Sequence, residues 1–211
     1  MNFRDQVTFR NYDRERLIID SVASKLTAEE NALRNHIINA IVDTHRPYAP
    51  TAEEQAMVET LQSKNALAIA EDGKIYSIYP VSAKETPHRV TLADGRTTYV
   101  MCAIDALGCT YTFHQDIVID SVCSNSGVPI HIEVKDGKIA SASSDEIRIL
   151  HADLKASDNW ASCCCCQMLY FNSQADYDAY AKAHDLCPCC SFCLDLDEGL
   201  TVGRMLFSDD E

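Results

Sequence analysis

Apolar and polar positions alternate in two different rhythms along this chain. Up to about residue 80 the rhythm is helical. Leu17, Ile18, Val22 and Leu26 recur at helical spacing after the polar Asn11 and Asp13, which predicts a first helix. Thr27-Ala-Glu-Glu30 has the form of a capping box and opens a second helix, with Leu33, Ile37, Ile38, Ile41 and Val42 on its apolar face. Pro47 and Pro50 end it. A second box, Thr51-Ala-Glu-Glu54, opens a third helix carrying Met57, Val58 and Leu61. Leu67 to Ala70 and Ile75 to Tyr79 then flank Asp72-Gly73, the signature of a hairpin.

Further on, the period shortens to two. His88 to Leu92, Asp116 to Val122, Val128 to Val134 and Ile139 to Ala142 read as strands, with turns at Asp94-Gly95 and Asp136-Gly137. The segment from Thr98 to Leu107 interrupts them with apolar residues at helical spacing. Gln174 to His184 is a polar, solvent-facing helix, and Leu200 to Phe207 reads as a last strand. The fold class predicted is α+β. A helical, winged-helix-like domain over residues 1–82 precedes a mostly antiparallel, β-rich domain with a few helices over residues 83–211.

Charge restricts what such a chain does. The net charge is −14 over 211 residues. Nucleic acid and anionic membranes both demand clustered Lys and Arg, so neither is an expected partner, and the winged-helix order reads as a packing or lid domain. A metal sensor built on a winged helix is disfavoured by the same charge. There is no long apolar span and no charged start leading into an apolar stretch with a small-residue cleavage site, so the expectation is a soluble, cytoplasmic protein.

Eleven cysteines change the picture more than the charge does. They bunch, in Cys163 to Cys166 and in Cys187, Cys189, Cys190 and Cys193, whereas disulfide scaffolds spread theirs among loops. Reduced thiols serving metal or chemistry are expected, since adjacent cysteines rarely have the geometry to pair. Four consecutive side chains cannot all face one core, so some of Cys163 to Cys166 point into a site. Cys190 and Cys193 have C-x-x-C spacing, and Cys187 and Cys189 add ligands, which makes this second group a candidate site for a structural zinc or another soft metal.

Cys102 and Asp105 lie in the apolar run Tyr99 to Leu107, three residues apart, a spacing that returns a helix to one face. An aspartate there is costly to bury without a purpose or a partner. The structural alternative is that it caps backbone amides or pairs with Arg89 or Arg96. Cys123 ends a strand-like stretch and packs, and Cys109 follows Gly108 at a helix end. No H-E-x-x-H, phosphate-binding glycine loop, G-x-S-x-G or dinucleotide fingerprint is present.

Three segments together resemble the organomercurial (alkylmercury) lyases: Tyr99 to Leu107 with its C-x-x-D, Asp120 to Pro129, and Cys165-Cys-Gln-Met-Leu-Tyr-Phe-Asn-Ser173. The resemblance covers about Val90 to Ser173, and the leading helices and hairpin match the family's winged-helix-like domain in order. It implies protonolysis of a carbon–mercury bond, with Cys102 and Cys165 binding mercury and Asp105 moving the proton, while Cys123 falls on a structural cysteine. The family pattern has a pair of cysteines where this chain has four, so Cys164 and Cys166 stand as further ligand candidates. The group from Cys187 to Cys193 is not required by that pattern. No organic cofactor is implied, and Hg(II) is the bound product. The implied partners are an organomercurial, low-molecular-weight thiols and a mercuric reductase. The rival reading is a soft-metal-binding or metal-transfer protein on the same fold, without turnover.

Overall fold

The computed structural model describes residues 3–156, 160 and 167–209. Two short helices, α1 (Phe3–Gln6) and α2 (Arg14–Leu17), lead into a 3-10 turn at Ala23–Lys25. The continuous helix expected from Leu17 to Leu26 is therefore broken. Ile18 is extended, and Ser21 accepts the Ser24 N–H on its hydroxyl at 3.0 Å, a local bond that competes with helix propagation. Leu17 and Val22 are buried all the same.

Helix α3 (Ala28–Thr44) begins at the expected box, with Thr27 and Glu30 exchanging both side-chain-to-backbone bonds. The Glu30 carboxylate also holds the Lys64 ammonium at 2.7 Å. Ile37, Ile38, Ile41 and Val42 form its buried stripe. At the second box Thr51 and Glu54 make the same reciprocal bonds, but in the turn just before α4 (Gln55–Ser63).

Strands β1 (Leu67–Ile69), β2 (Ile75–Ile78), β3 (Val81–Ser82), β4 (Arg89–Leu92), β5 (Thr97–Val100), β6 (Ile117–Val122), β7 (Pro129–Lys135) and β8 (Lys138–Ala142) form one sheet. Its order is β1-β2-β3-β5-β4-β6-β7-β8, and each neighbouring pair runs antiparallel. Ser82 ends β3, and residue 83 begins the connection from β3 to β4 of the same sheet. Val90, Ile119 and Ile132 are register partners and fully buried, so they carry one core row across three strands. At the β7–β8 hairpin both Asp136 and Gly137 have positive φ, as a tight loop matched to strand twist requires.

A second antiparallel sheet, β10-β9-β11, comprises β9 (Arg148–Ala152), β10 (Leu169–Phe171) and β11 (Ser191–Leu194). In chain order α5 (Ala103–Phe113) lies between β5 and β6 of the first sheet, and α6 (Gln174–Ala183) is the polar helix expected, with no buried residue. The chain is thus α+β, with helices concentrated toward its start and antiparallel sheet dominating the rest.

The strand expected over Leu200 to Phe207 is instead the end of helix α7 (Leu196–Phe207). Asp195 and Glu198 cap it reciprocally, and most of its length is buried. The segment from Thr98 is likewise divided, with β5 running to Val100 before α5 begins.

Helices α5 and α7 cross where glycines remove the side chains. A Cβ on Gly203 would lie 3.1 Å from the Gly108 nitrogen, and one on Gly108 would lie 2.0 Å from the Phe207 ring. That crossing fixes α5, and α5 carries the candidate chemistry. Among the described residues, no helix is long and apolar enough to cross a membrane.

Candidate active site

Cys102 stands at the N-cap of α5 rather than inside it. Its backbone is extended, and its Sγ accepts the Asp105 N–H at 3.4 Å. The three-residue spacing is therefore N-cap to third helical position, the geometry by which Ser or Asp usually caps a helix. The sulfur thus sits at the positive end of the helix dipole, an arrangement that favours negative charge there.

The start of the helix is pinned from the second sheet. The Ala103 N–H donates to the Met168 carbonyl at 3.0 Å, and the buried Tyr170 hydroxyl donates to the Ala103 carbonyl at 2.9 Å. Met168 places its Sδ 3.8 Å from the Cys102 Sγ. Tyr170 in turn accepts the Ser124 N–H on its carbonyl at 2.9 Å, which ties β10 to the β6–β7 connection.

Asp105 is 3% exposed, and its Oδ2 has no hydrogen-bond partner among the described residues. Burial pushes its carboxyl up to about 7, and a hydrogen bond with the Cys102 side chain opposes the shift. The arginine pairing considered for it does not occur. Arg96 is held at the surface by Asp94 and Asp43, and Arg89 is exposed on β4. Asp105 is thus a buried carboxyl raised toward neutrality, not half of an ion pair.

Around it the surroundings are neutral and apolar. Cys109 lies one helical turn on, in the middle of α5 rather than at its end, and burial with the nearby Asp105 charge holds its thiol well above the usual range. Burial, and then the neighbouring Cys102, Cys109 and Asp105, raise the Tyr170 phenol similarly. His88, whose ring lies 5.7 Å from that of Tyr170, is pushed down to about 4 by burial and shares a 2.7 Å hydrogen bond with Ser121. Met168 and Tyr170 fall in the segment Cys165 to Ser173 that carries the resemblance, where the sequence gives them no role, and His88 reads from the sequence only as the start of a strand.

Cys123 is buried in the β6–β7 connection, where its sulfur accepts the Ser126 N–H at 3.4 Å, a structural role. Cys163 to Cys166, and with them Cys164, Cys165 and Cys166 as mercury ligands, lie outside the described residues. The late group is brought together in part. Cys187, Cys189 and Cys190 have sulfurs within 4.8 Å of one another, and Cys187 and Cys189 form a disulfide. That bond corrects the expectation of reduced, unpaired neighbours: Pro188 turns the chain so that the two Cα atoms stand 5.3 Å apart, within disulfide range. Cys193 is excluded, because β11 directs its sulfur to Gln174 at 3.8 Å. A cavity of about 630 Å³, lined by Ile18, Lys25, Asn65, Leu154 and Trp160, involves none of these thiols.

The antiparallel α+β fold buries a thiol and a carboxyl together at the first turn of α5. The alkylmercury lyase family matches residues 81–208, a stretch that contains both groups. This chain belongs to that family.

Among curated relatives, the alkylmercury lyase of Bacillus cereus is 30% identical over 107 residues, which are 50% of this chain and 48% of that protein. The alkylmercury lyase of Pseudomonas putida is 26% identical over 130 residues, 62% of this chain and 60% of that protein. The matched stretch thus spans about half the length of these relatives. The crystal structure of the mercury-bound form of MerB2 superposes with a TM-score of 0.71 at 23% identity, covering 87% of this chain and 92% of that one, a likeness of fold.

Proposed function

We propose that this protein cleaves carbon–mercury bonds by protonolysis, with Cys102, Asp105 and a thiol of the Cys163–Cys166 run, Cys165 by position, as the working set. The observation that carries the reading is the Cys102–Asp105 pair: a sulfur at a helix N-terminus whose neighbouring carboxyl, buried and lacking a partner at Oδ2, is pushed up to about 7. The place of Met168 supports the second thiol. Met168 touches Cys102 and follows Cys165 by three residues, and at about 3.8 Å per residue the chain is long enough for a thiol of the run to reach the same mercury.

Mercury is soft and prefers thiolate to any oxygen or nitrogen donor. Cys102 displaces the thiol that delivers the organomercurial, and its proton leaves on that thiol. A second protein thiol adds to mercury and gives its proton to Asp105. The second sulfur raises electron density on mercury and weakens the bond to carbon. Asp105 then protonates the carbon, the electron pair of the Hg–C bond becomes the new C–H bond, and the hydrocarbon departs. Hg(II) is left between two protein sulfurs, until low-molecular-weight thiols or a mercuric reductase collect it. A carboxyl that titrates near neutral pH can both accept and return a proton under working conditions.

The test is hydrocarbon release from phenylmercury in excess thiol. Benzene is expected from the wild-type protein, with loss of at least about a thousandfold for Cys102→Ala and for Asp105→Ala, since removing a general acid alone forfeits roughly that factor. Stoichiometric uptake of mercury without benzene, indifferent to Asp105→Ala, would instead establish a metal-binding protein without turnover.

A further inference from the structure

The sulfurs of Cys187, Cys189 and Cys190 are all exposed and mutually within 4.8 Å, and the turn that presents them is tightly held. The Cys190 N–H donates to the Cys187 carbonyl at 3.1 Å, the Ser191 hydroxyl donates to the same carbonyl at 2.9 Å, and Arg16 donates from its guanidinium to the Cys189 carbonyl at 2.8 Å. The Cys190 carbonyl accepts the Asp153 N–H at 3.0 Å, which anchors the turn beside the end of β9. Two thiolates on one soft ion stand no more than about 4.6 Å apart, twice a metal–sulfur bond of about 2.3 Å. The three sulfurs, mutually within 4.8 Å, already come close to that spacing.

We propose that Cys187, Cys189 and Cys190 form a surface site for a thiophilic metal ion of the Hg(II) or Cd(II) type, opened by reduction of the Cys187–Cys189 disulfide. In the disulfide two of the three sulfurs are spent on each other, leaving Cys190, 3.4 Å from the Cys189 sulfur, as the one thiol. Two molecules of a low-molecular-weight thiol reduce the bond. The protein gains two thiols, and the small thiol is oxidised to its own disulfide. The ion then displaces one proton from each of three thiols and is held by three thiolates. Hard ions gain nothing from such a donor set, so the site selects soft metals. Cys193, bonded to Gln174, takes no part.

Cadmium titration of the full-length protein tests this, followed by the ultraviolet thiolate-to-metal charge-transfer band and by native mass spectrometry. A phosphine serves as reductant so that no added thiol competes. The reduced wild-type protein is expected to bind one more Cd(II) than the reduced Cys187→Ser/Cys189→Ser variant, and the oxidised wild-type protein to match the variant. Reduction is expected to add two hydrogens at this turn in the wild-type protein alone. Cys190→Ser, which leaves the disulfide bond untouched, is expected to weaken the extra site by at least about tenfold, the loss caused even by removing an outer-shell partner. Equal stoichiometry in reduced wild type and double variant, or an extra ion bound with the disulfide intact, would overturn the proposal. So would undiminished affinity in Cys190→Ser.

Discussion

Asp105 sits in an environment far from its solution chemistry, and the cost is measurable. The folded protein keeps its carboxyl protonated up to about pH 7, while the unfolded chain releases that proton near 3.8. Stability from this group is therefore full below about pH 4 and declines as pH rises toward 7, by on the order of 4 kcal/mol. His88 and His151, both pushed down to about 4 by burial, act in the opposite sense, since the unfolded chain binds their protons first between pH 6.5 and 4. The wild-type pH profile is thus a compound of both. Asp105→Asn isolates the carboxyl: urea unfolding midpoints measured from pH 4 to 8 should show the variant gaining on the wild-type protein as pH rises, and parallel profiles would remove the elevated carboxyl. The pair itself was legible in the sequence, because an acid in an apolar run is conspicuous. Its geometry was not, since cysteine is an unusual N-cap and the C-x-x-D spacing is compatible with a helix interior.

At the scale of elements, the position of α5 depends on close approach to α7. A methyl group at Gly108 would overlap the Phe207 ring, so Gly108→Ala should cost about 1–3 kcal/mol, read from chemical denaturation. Combining it with Phe207→Leu should recover part of that loss. Strict additivity in the double-mutant cycle would show that the ring does not press on the glycine. The same contact explains the misreading of Leu200 to Phe207. A short, densely apolar run has no clear period, and a helix buried on several sides and a buried strand then look alike. The box at Asp195 and Glu198, bonded as at Thr27 and Glu30, was the available helix signal.

Over the whole molecule, the two sulfur centres are kept apart by the smaller sheet. Met168, against Cys102, immediately precedes edge strand β10, whereas the Cys187–Cys190 turn leads into the opposite edge strand β11, with β9 between them. A change at one should leave the other intact. Cys189→Ser is expected to release benzene from phenylmercury at a rate within about twofold of wild type, a difference well under 1 kcal/mol, while Cys102→Ala abolishes release. Loss of release in Cys189→Ser would place the late group on the reaction path.

Local chemistry sufficed for much of this protein. Periodicity and turn residues identified α3, α6, the β1–β2 hairpin and strands β4, β6, β7 and β8, because each records its own burial pattern in consecutive residues. Residue types identified a thiol and a carboxyl on one turn. Tertiary structure alone decided the pairing of β9 with β10 and β11, the closing of Cys187 onto Cys189 while Cys193 turned away, and the elevation of the Asp105 carboxyl. These depend on which distant segments exclude water from a residue. Chain neighbours set a residue's preferences, but only the packed surroundings set its solvation.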